Sequence, residues 1–469
     1  MRDELVPDQG DIFGWIEQVF HFGIRRPAYA ADRKAEDLVE SQFRQMGLEN
    51  VRREPVTLPR WEPLNCSLTV RTVGQTFSVP CFPLPHASPT NGMELPLALF
   101  DPDRPEDVAG RAALHAMALM EIPPDLPAGN PEIAAALHEE LVVGLSTGGV
   151  SLDPRGTFAG ATQILPFSPL LQSVMEGAIQ AGAAAFIGVL TNHPGDSCEY
   201  YVPYDGVERP IPGVWIRGSD GARLQALLAD GDVSIRLVVE STRETVTSWN
   251  IVAELPGADE ELLVIGSHHD GPWASAVEDA SGIALVLAQA AYWSQVPRGQ
   301  RPHRLLFLLN AGHMVGGAGC DAFIARHRSQ LEDIVLEIHL EHAAGEFRRQ
   351  GGELLPTGEP EPRWFFTSRN TDLRHALLSS LQAEAVDRAL IIAPDTFGDQ
   401  PTTDGGAFHP AGVPLVNFLT APFYLFDAMD TLDKIHRESL VPITRAIIRL
   451  IESTAGVSAR SMRAGMVSD

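Results

Sequence analysis

Strand-like and helix-like segments alternate from Trp249 onwards, and this alternation constrains the fold more than any other feature of the chain. Short apolar runs such as ELLVIGS, HRLLFLLNAG and IVLEIHLE are typical of buried strands, whereas SGIALVLAQAAYW and NTDLRHALLSSLQAEA have helical spacing. Strands that alternate with helices form a mostly parallel sheet with helices on both faces. We therefore predict an α/β fold whose ligands bind at the carboxyl ends of the strands.

The chain before this region has two further parts. A helical pattern extends from about Asp11 to Leu48 and is followed by strand-like segments. The segments SVMEGAIQAGAAAFIGVL and IPGVWIRGSDGARLQALLADGDVSIRLVV then give helix, strand, strand, helix and strand, a pattern that resembles a protease-associated domain. We predict that residues 1–94 and 246–469 form one α/β domain and that residues 95–245 are a β-rich insert of this kind.

Composition excludes several classes of partner. The formal net charge of −26 disfavours nucleic acid and anionic membrane surfaces, which both need Lys and Arg. The four cysteines form no C-x-x-C pair, so neither a disulfide framework nor a structural zinc knuckle is expected. The acidic start MRDELVPDQG lacks the basic and apolar pattern of a signal peptide. We expect a cytoplasmic protein that acts on a small molecule or a short peptide-like substrate.

Metal-ligating side chains follow several of the predicted strands. His268 and Asp270 come directly after ELLVIGS, and Glu278 precedes the next helix. His313 follows the strand HRLLFLLNAG, and Glu341 ends IVLEIHLE. Because the carboxyl ends of parallel strands meet at one edge of a sheet, these side chains are expected to lie close together. The H-x-D spacing allows His268 to bind a metal while Asp270 orients it.

Six motifs in this order resemble the co-catalytic zinc aminopeptidase family, which also includes glutamate carboxypeptidases and glutaminyl cyclases. They are HHD, AVEDASG, HMVGGAGC, IHLEHAA, TDGGAFHPAGVP and LFDAMDT. The resemblance implies that His268 is the family's first histidine ligand and that Asp270 is its orienting aspartate. It also implies that Glu278 replaces the bridging aspartate and that Glu341 replaces the later aspartate ligand.

Three further positions depart from the family. His313 stands where the family has its general base, and Met314 and Phe426 replace ligands of the second metal. Phenylalanine has no donor atom, and a thioether is too soft for a hard divalent ion. We therefore expect one metal per chain, held by His268, Glu278 and Glu341. Zinc is the expected ion, with Mn²⁺ and Fe²⁺ as alternatives. One histidine and two carboxylates leave a fourth position open for catalysis.

The remaining candidates surround this site. A bound metal lowers the pKa of water, and His313 is expected either to take the proton as a base or to serve as a further ligand. If the alignment with the family motif is shifted by one residue, Asp279 takes the place of Glu278 as the metal ligand. His269 and His342 are expected to point away, because neighbouring strand residues face opposite sides. The predicted substrate pocket consists of Trp273, Met314, Asp404, His409 and Phe426.

These expectations favour a metal-dependent hydrolase of an amide or related acyl bond. An ordinary aminopeptidase is disfavoured because Met314 and Phe426 make the pocket more apolar, which suits a small or aromatic substrate. A non-hydrolytic metal enzyme on the same fold, such as a cyclase-like transferase or a lyase, is one alternative. A binding protein without catalysis is the other. Metal content and product analysis separate these hypotheses.

Overall fold

A large mixed sheet forms the centre of the computed structural model, which describes residues 1–122, 150–157, 163–167, 170–350 and 353–466. The strands of these residues are β1 Glu49–Arg71, β2 Thr76–Val79, β3 Cys81–Pro83, β4 Thr90–Leu99, β5 Ala112–Met117, β6 Glu121–Ile122, β7 Val150–Leu152, β8 Gln163–Ile164, β9 Ala185–Leu190, β10 Gly213–Arg217, β11 Ser234–Leu255, β12 Leu262–His268, β13 Arg304–Asn310, β14 Ile334–Leu340, β15 Gly345–Gln350, β16 Glu353–Pro360, β17 Arg363–Thr367, β18 Ala389–Ile392 and β19 Leu415–Thr420.

Helices cover this sheet. The α-helices of the described residues are α1 Gln9–Phe20, α2 Ala30–Gln45, α3 Leu171–Gln180, α4 Gly218–Asp230, α5 Gly282–Gln295, α6 Ala318–Arg326, α7 Thr371–Ala383, α8 Leu440–Ser453 and α9 Ala459–Ala464. The predicted helical region at the start of the chain is therefore two helices, α1 and α2. Gly23, at φ +99°, and Pro27, which lacks an N–H donor, interrupt it.

The parallel part of the sheet carries the predicted strands. β13, β12, β14 and β19 are neighbours in that order, and each adjacent pair is parallel. β11 joins β13 and β17 joins β19 in antiparallel fashion. Every residue of β12, β14 and β19 is buried, as expected for strands covered on both faces. The prediction of an α/β fold with a mostly parallel central sheet is confirmed.

A second group of strands continues the sheet on the other side of β11. The order is β11, β4, β5, β9, β10 and β3, and α3, β9, β10, α4 and β11 follow one another along the chain as predicted. The predicted boundaries of the insert fall inside β4 and β11, so both strands belong to both regions. The protease-associated assignment and the three-part division stay predictions, and residues 123–149, 158–162 and 168–169 of the insert lie outside the described residues.

Long strands connect the two regions. β1 pairs with β11 over nearly its whole length, from Glu49–Glu254 to Arg71–Ser234. Within the described residues, no helix is both long and apolar enough to cross a membrane.

Candidate metal site

The ends of three parallel strands bring the candidate ligands together. β12 ends at His268, β13 ends three residues before His313, and β14 ends one residue before Glu341. Glu278 lies in the kinked turn Ala276–Ser281, where its backbone is not helical, with φ −98° and ψ 90°. The site therefore forms at the edge of the sheet where the sequence predicts it.

His268, Glu278 and His313 form the tightest group. Their ligand atoms lie within 4.8 Å of one another, with Glu278 Oε1 at 3.4 Å from His268 Nε2 and at 3.5 Å from His313 Nε2. The two imidazole rings stack with centroids 4.1 Å apart. All three residues are buried. Two histidines and one carboxylate form a ligand set that zinc and other divalent metals accept.

His342 joins the cluster, so the expectation that it points away is wrong. Its Nε2 lies 2.5 Å from Glu278 Oε2, and with His268 and Asp279 it forms a second group within 4.8 Å. The reason is its backbone, which has φ +46° just after the end of β14 and so leaves the alternating pattern of the strand. His269 does point away, because its Nδ1 lies 2.6 Å from Asp32 Oδ1.

Glu341 lies at the edge of the cluster. Its Oε1 is 3.2 Å from His339 Nε2 and accepts a hydrogen bond from the backbone N–H of Asp404. Its Oε2 has no hydrogen-bond partner and lies 3.8 Å from His342 Nε2. Among the described residues, neither of the two tight groups around His268 includes Glu341. Its role as the third metal ligand stays a prediction.

Unsatisfied polar atoms face one another inside this cluster. His268 Nε2, both carboxylate oxygens of Glu278, Glu341 Oε2 and His342 Nε2 are buried and form no hydrogen bond of good geometry in the described part of the chain, although His342 Nε2 and Glu278 Oε2 form a close ion pair. A buried polar atom without a partner costs free energy, and a buried charge costs more. A divalent cation would satisfy these atoms together. The residues that are present therefore fit a metal site.

Electrostatics supports the same conclusion. Burial and the neighbouring imidazoles hold the pKa of His268 well below its usual range. Burial also disfavours protonation of His313, but Asp404 and Glu278 outweigh it and raise its pKa to about 9. At His342, Glu278 and Glu341 likewise outweigh burial and raise the pKa to about 10. Without a cation, protons on two imidazoles balance the carboxylates, so metal binding should release protons.

Asp270 supports the site in a different way from the one expected. Its carboxylate accepts hydrogen bonds from the backbone N–H groups of Gly312, His313 and Met314 at 2.8–3.1 Å. The carboxylate lies 3.9 Å from His268 Nδ1, whereas the backbone carbonyl of Asp270 lies 3.0 Å from that atom. The carbonyl therefore orients His268, and the carboxylate fixes the turn that carries His313.

Two charged residues that the sequence analysis missed hold Glu278 in place. Asp430 accepts hydrogen bonds from the backbone N–H groups of Val277 and Glu278. Arg25, fully buried, donates to the carbonyls of Ser275 and Glu278. These residues come from distant parts of the chain, and spacing alone gives no signal for such contacts.

A cavity of about 470 Å³ opens beside His313. Asp404 lines it, and Tyr204 lies at its wall with its ring stacked on His313 at 5.3 Å and against Phe426 at 4.7 Å. Met314 and Phe426 are buried, as apolar residues should be. Tyr204 belongs to the predicted insert and was not identified from the sequence.

Of the five predicted pocket residues, only Asp404 lines this cavity, and Trp273, Met314, His409 and Phe426 do not. Trp273 packs against Phe82, with ring centroids 5.0 Å apart, and its Nε1 donates to the carbonyl of Phe426. His409 follows the short turn Asp404–Phe408 and is half-buried.

Solved structures share this architecture over almost the whole chain. An aminopeptidase from Aneurinibacillus sp. strain AM-1 is 19% identical, with 96% of this chain and 94% of that chain covered and a TM-score of 0.64. A peptidase M28 precursor from Shewanella amazonensis is 18% identical, with coverage of 95% and 93% and a TM-score of 0.69. A zinc aminopeptidase from Bacillus subtilis is 15% identical, with 99% of each chain covered and a TM-score of 0.66. This chain has the zinc aminopeptidase fold. The resemblance predicted from the six motifs is confirmed at the level of the fold.

Curated proteins named leucine aminopeptidase 2 match only part of the chain. Leucine aminopeptidase 2 from Arthroderma otae is 34% identical over 141 residues, which are 29% of this chain and 28% of that protein. Leucine aminopeptidase 2 from Trichophyton equinum is 35% identical over 98 residues, 20% of this chain and 19% of that protein. The match thus spans less than a third of either relative. No family model matches the sequence.

Proposed function

We propose that the chain is a metal-dependent hydrolase of an amide or related acyl bond that binds one divalent cation. The observation that carries this proposal is the cluster of buried ligand atoms around Glu278, whose two oxygens lie 3.4 Å from His268 Nε2 and 2.5 Å from His342 Nε2. The zinc aminopeptidase fold and the partial similarity to leucine aminopeptidases support the type of chemistry.

In this proposal His268 and Glu278 are metal ligands, and zinc is the expected ion. Glu341 is the proposed third ligand, and a rotation of its side chain would be needed to bring Oε2 to the others. His313, which is already within 4.8 Å of His268 and Glu278, is the competing third ligand. Met314 and Phe426 offer no oxygen or nitrogen ligand in their side chains, which supports one cation rather than two.

A bound divalent cation supplies Lewis acidity and a lowered pKa for water. The chain's own residues supply the remaining steps. If Glu341 completes the ligand set, His313 Nε2 takes the proton from the attacking water and returns it to the leaving amine. Asp404 Oδ1, at 3.5 Å from His313 Nδ1, keeps the ring oriented. Tyr204 covers the ring of His313, and Phe426 packs against Tyr204, which limits the access of bulk water.

Metal content and product analysis on the same sample test the proposal. We expect close to one zinc per chain after dialysis against zinc and removal of the excess. With a panel of peptides, N-acyl amides and amino acid amides in ¹⁸O-labelled water, we expect one ¹⁸O in the acid product. Product without ¹⁸O indicates a cyclase-like or lyase reaction. Metal-free protein that binds substrate without turnover indicates a binding protein, and either result contradicts the proposal.

A further inference from the structure

Two thiols lie side by side where the second group of strands closes on itself. That group runs from β11 through β4, β5, β9 and β10 to β3, and β1 pairs with β11 on its other edge. Cys66 in β1 and Cys81 in β3 bring the two outermost strands together, with their Sγ atoms 3.3 Å apart. Among the described residues no backbone ladder joins β1 to β3, so side chains span this seam.

The register of the neighbouring hairpin explains why the two thiols meet. β1 and β2 pair in antiparallel fashion as far as Leu68 and Val79. Pro80 has no N–H to continue the ladder, but the same register two residues further on places Cys66 opposite Cys81. Opposite residues of antiparallel strands have Cα atoms about 4.5–5.5 Å apart, within the range of about 4.4–6.8 Å that a disulfide needs. The backbone therefore already suits a bond between the two sulfurs.

The pair is also the most accessible of the cysteines. Cys66 and Cys81 are half-buried at the edge of an apolar core, whereas Cys198 and Cys320 are buried. A reagent from solvent therefore reaches the pair first. The hydrogen bond with Cys81, together with burial, raises the pKa of the Cys66 thiol. Cys66 thus keeps its proton, and the first attack on an oxidant falls to Cys81.

We propose that Cys66 and Cys81 form a reversible disulfide that fastens β3 to β1. With glutathione disulfide as the oxidant, the Cys81 thiolate attacks one of its sulfurs and releases the first glutathione. Cys66 then gives up its proton, and its sulfur attacks Cys81 Sγ and releases the second glutathione. The two protein thiols are oxidised by two electrons, and their two protons pass through solvent to the two glutathione thiols.

The strand fastened in this way supports the loop of the candidate metal site. Phe82 follows Cys81, and its ring packs against Trp273, in the loop between His268 and Glu278, with centroids 5.0 Å apart. The bond spans only 15 positions of the chain, so its main effect is local. We expect oxidation to suppress the local opening of β3 without changing the metal content.

Peptide mapping tests the proposal on the unmodified chain as purified. The protein is treated with glutathione disulfide, its remaining thiols are blocked with N-ethylmaleimide in denaturant, and the tryptic peptides are analysed by mass spectrometry. We expect two of the four cysteines to carry the label and a disulfide to link the peptide of residues 61–71 to that of residues 72–111. Dithiothreitol should restore all four labelled cysteines. Hydrogen exchange across β3 should slow by about tenfold or more on oxidation.

Cys66→Ala and Cys81→Ala should each abolish the link, whereas Cys198→Ala is the matched control and should keep it. Circular dichroism checks that every variant is folded. In the unmodified chain, four labelled cysteines after oxidation or glutathione that stays attached to the protein overturns the proposal. A link to the peptide of residues 156–217, which contains Cys198, overturns it as well. Unchanged exchange across β3 in the linked protein contradicts the fastening of that strand.

Discussion

Asp270 Oδ1 accepts a hydrogen bond from the backbone N–H of His313 at 3.1 Å. The same carboxylate also holds the N–H groups of Gly312 and Met314. The loop after β12 and the turn after β13 are thereby joined, so the positions of His268 and His313 depend on each other. The catalytic role predicted for Asp270 is best described as positioning.

This contact gives a prediction for Asp270→Asn. Asparagine has one acceptor oxygen where aspartate has two, so it accepts fewer of the three N–H groups. Its NH₂ group would face the N–H of Met314, and two donors cannot form a hydrogen bond with each other. We expect kcat to fall roughly tenfold to a hundredfold while metal content changes little. The measurement is kcat with zinc content on the same preparation. Loss of metal equal to that of His268→Ala contradicts a positioning role for the carboxylate.

Metal occupancy should depend on His268 and not on Met314. His268→Ala removes a nitrogen ligand next to the Glu278 carboxylate, so we expect zinc to fall from about one per chain to near zero. Met314→Ala removes no ligand and serves as the control for a buried substitution beside the site. Elemental analysis measures both. Two metals per chain in the unmodified protein, or none after zinc addition, refutes the single-metal site.

His313→Ala separates the two roles left open for this residue. If His313 is the base, the variant should keep its metal and lose turnover by roughly two to four orders of magnitude. If it is the third ligand, zinc content should fall together with turnover. Zinc analysis and turnover on one preparation distinguish these results. Full zinc with unchanged turnover removes His313 from the mechanism.

Stability at acid pH should depend on Glu54 in β1. Burial favours its neutral form, but hydrogen bonds with His327 and Arg326 outweigh burial and lower the pKa of Glu54 to about 2. Because the pKa of Glu54 is lower in the folded protein than its usual value of 4.5, its ionised form stabilises the fold at pH values above 4.5. That stabilisation is lost as the pH falls towards 2 and the carboxylate is protonated.

We therefore expect Glu54→Gln to lose about 2 kcal/mol of unfolding free energy at pH 7. The difference from the unmodified chain should shrink steadily below pH 4.5. Urea unfolding between pH 3 and 7 measures it. Glu62→Gln, at a more exposed pair with Arg60, is the control and should show a small effect. A constant difference across this pH range contradicts the assignment.

The pattern of strands and helices predicted the fold well because it depends on local apolar spacing, which survives when the ligands change. The same spacing contained one signal that was not used. Glu337 and His339 in β14 and Glu341 directly after it are two residues apart and so share one face, which predicts the contact of His339 with both acids. His342 gave no such signal, because its position depends on a left-handed backbone conformation that its sequence neighbours do not specify. Asp430 and Tyr204 depend on contacts between distant segments.

The contact of Tyr204 with His313 has a consequence for protein engineering. Residues 95–245 contribute an aromatic wall to the cavity, and β11 continues from this region into the central sheet without a break. Deleting the region, or exchanging it for that of a relative, would open one wall of the cavity and cut a shared strand. Recombination libraries should therefore take residues 95–245 and the turn that carries His313 from the same parent protein.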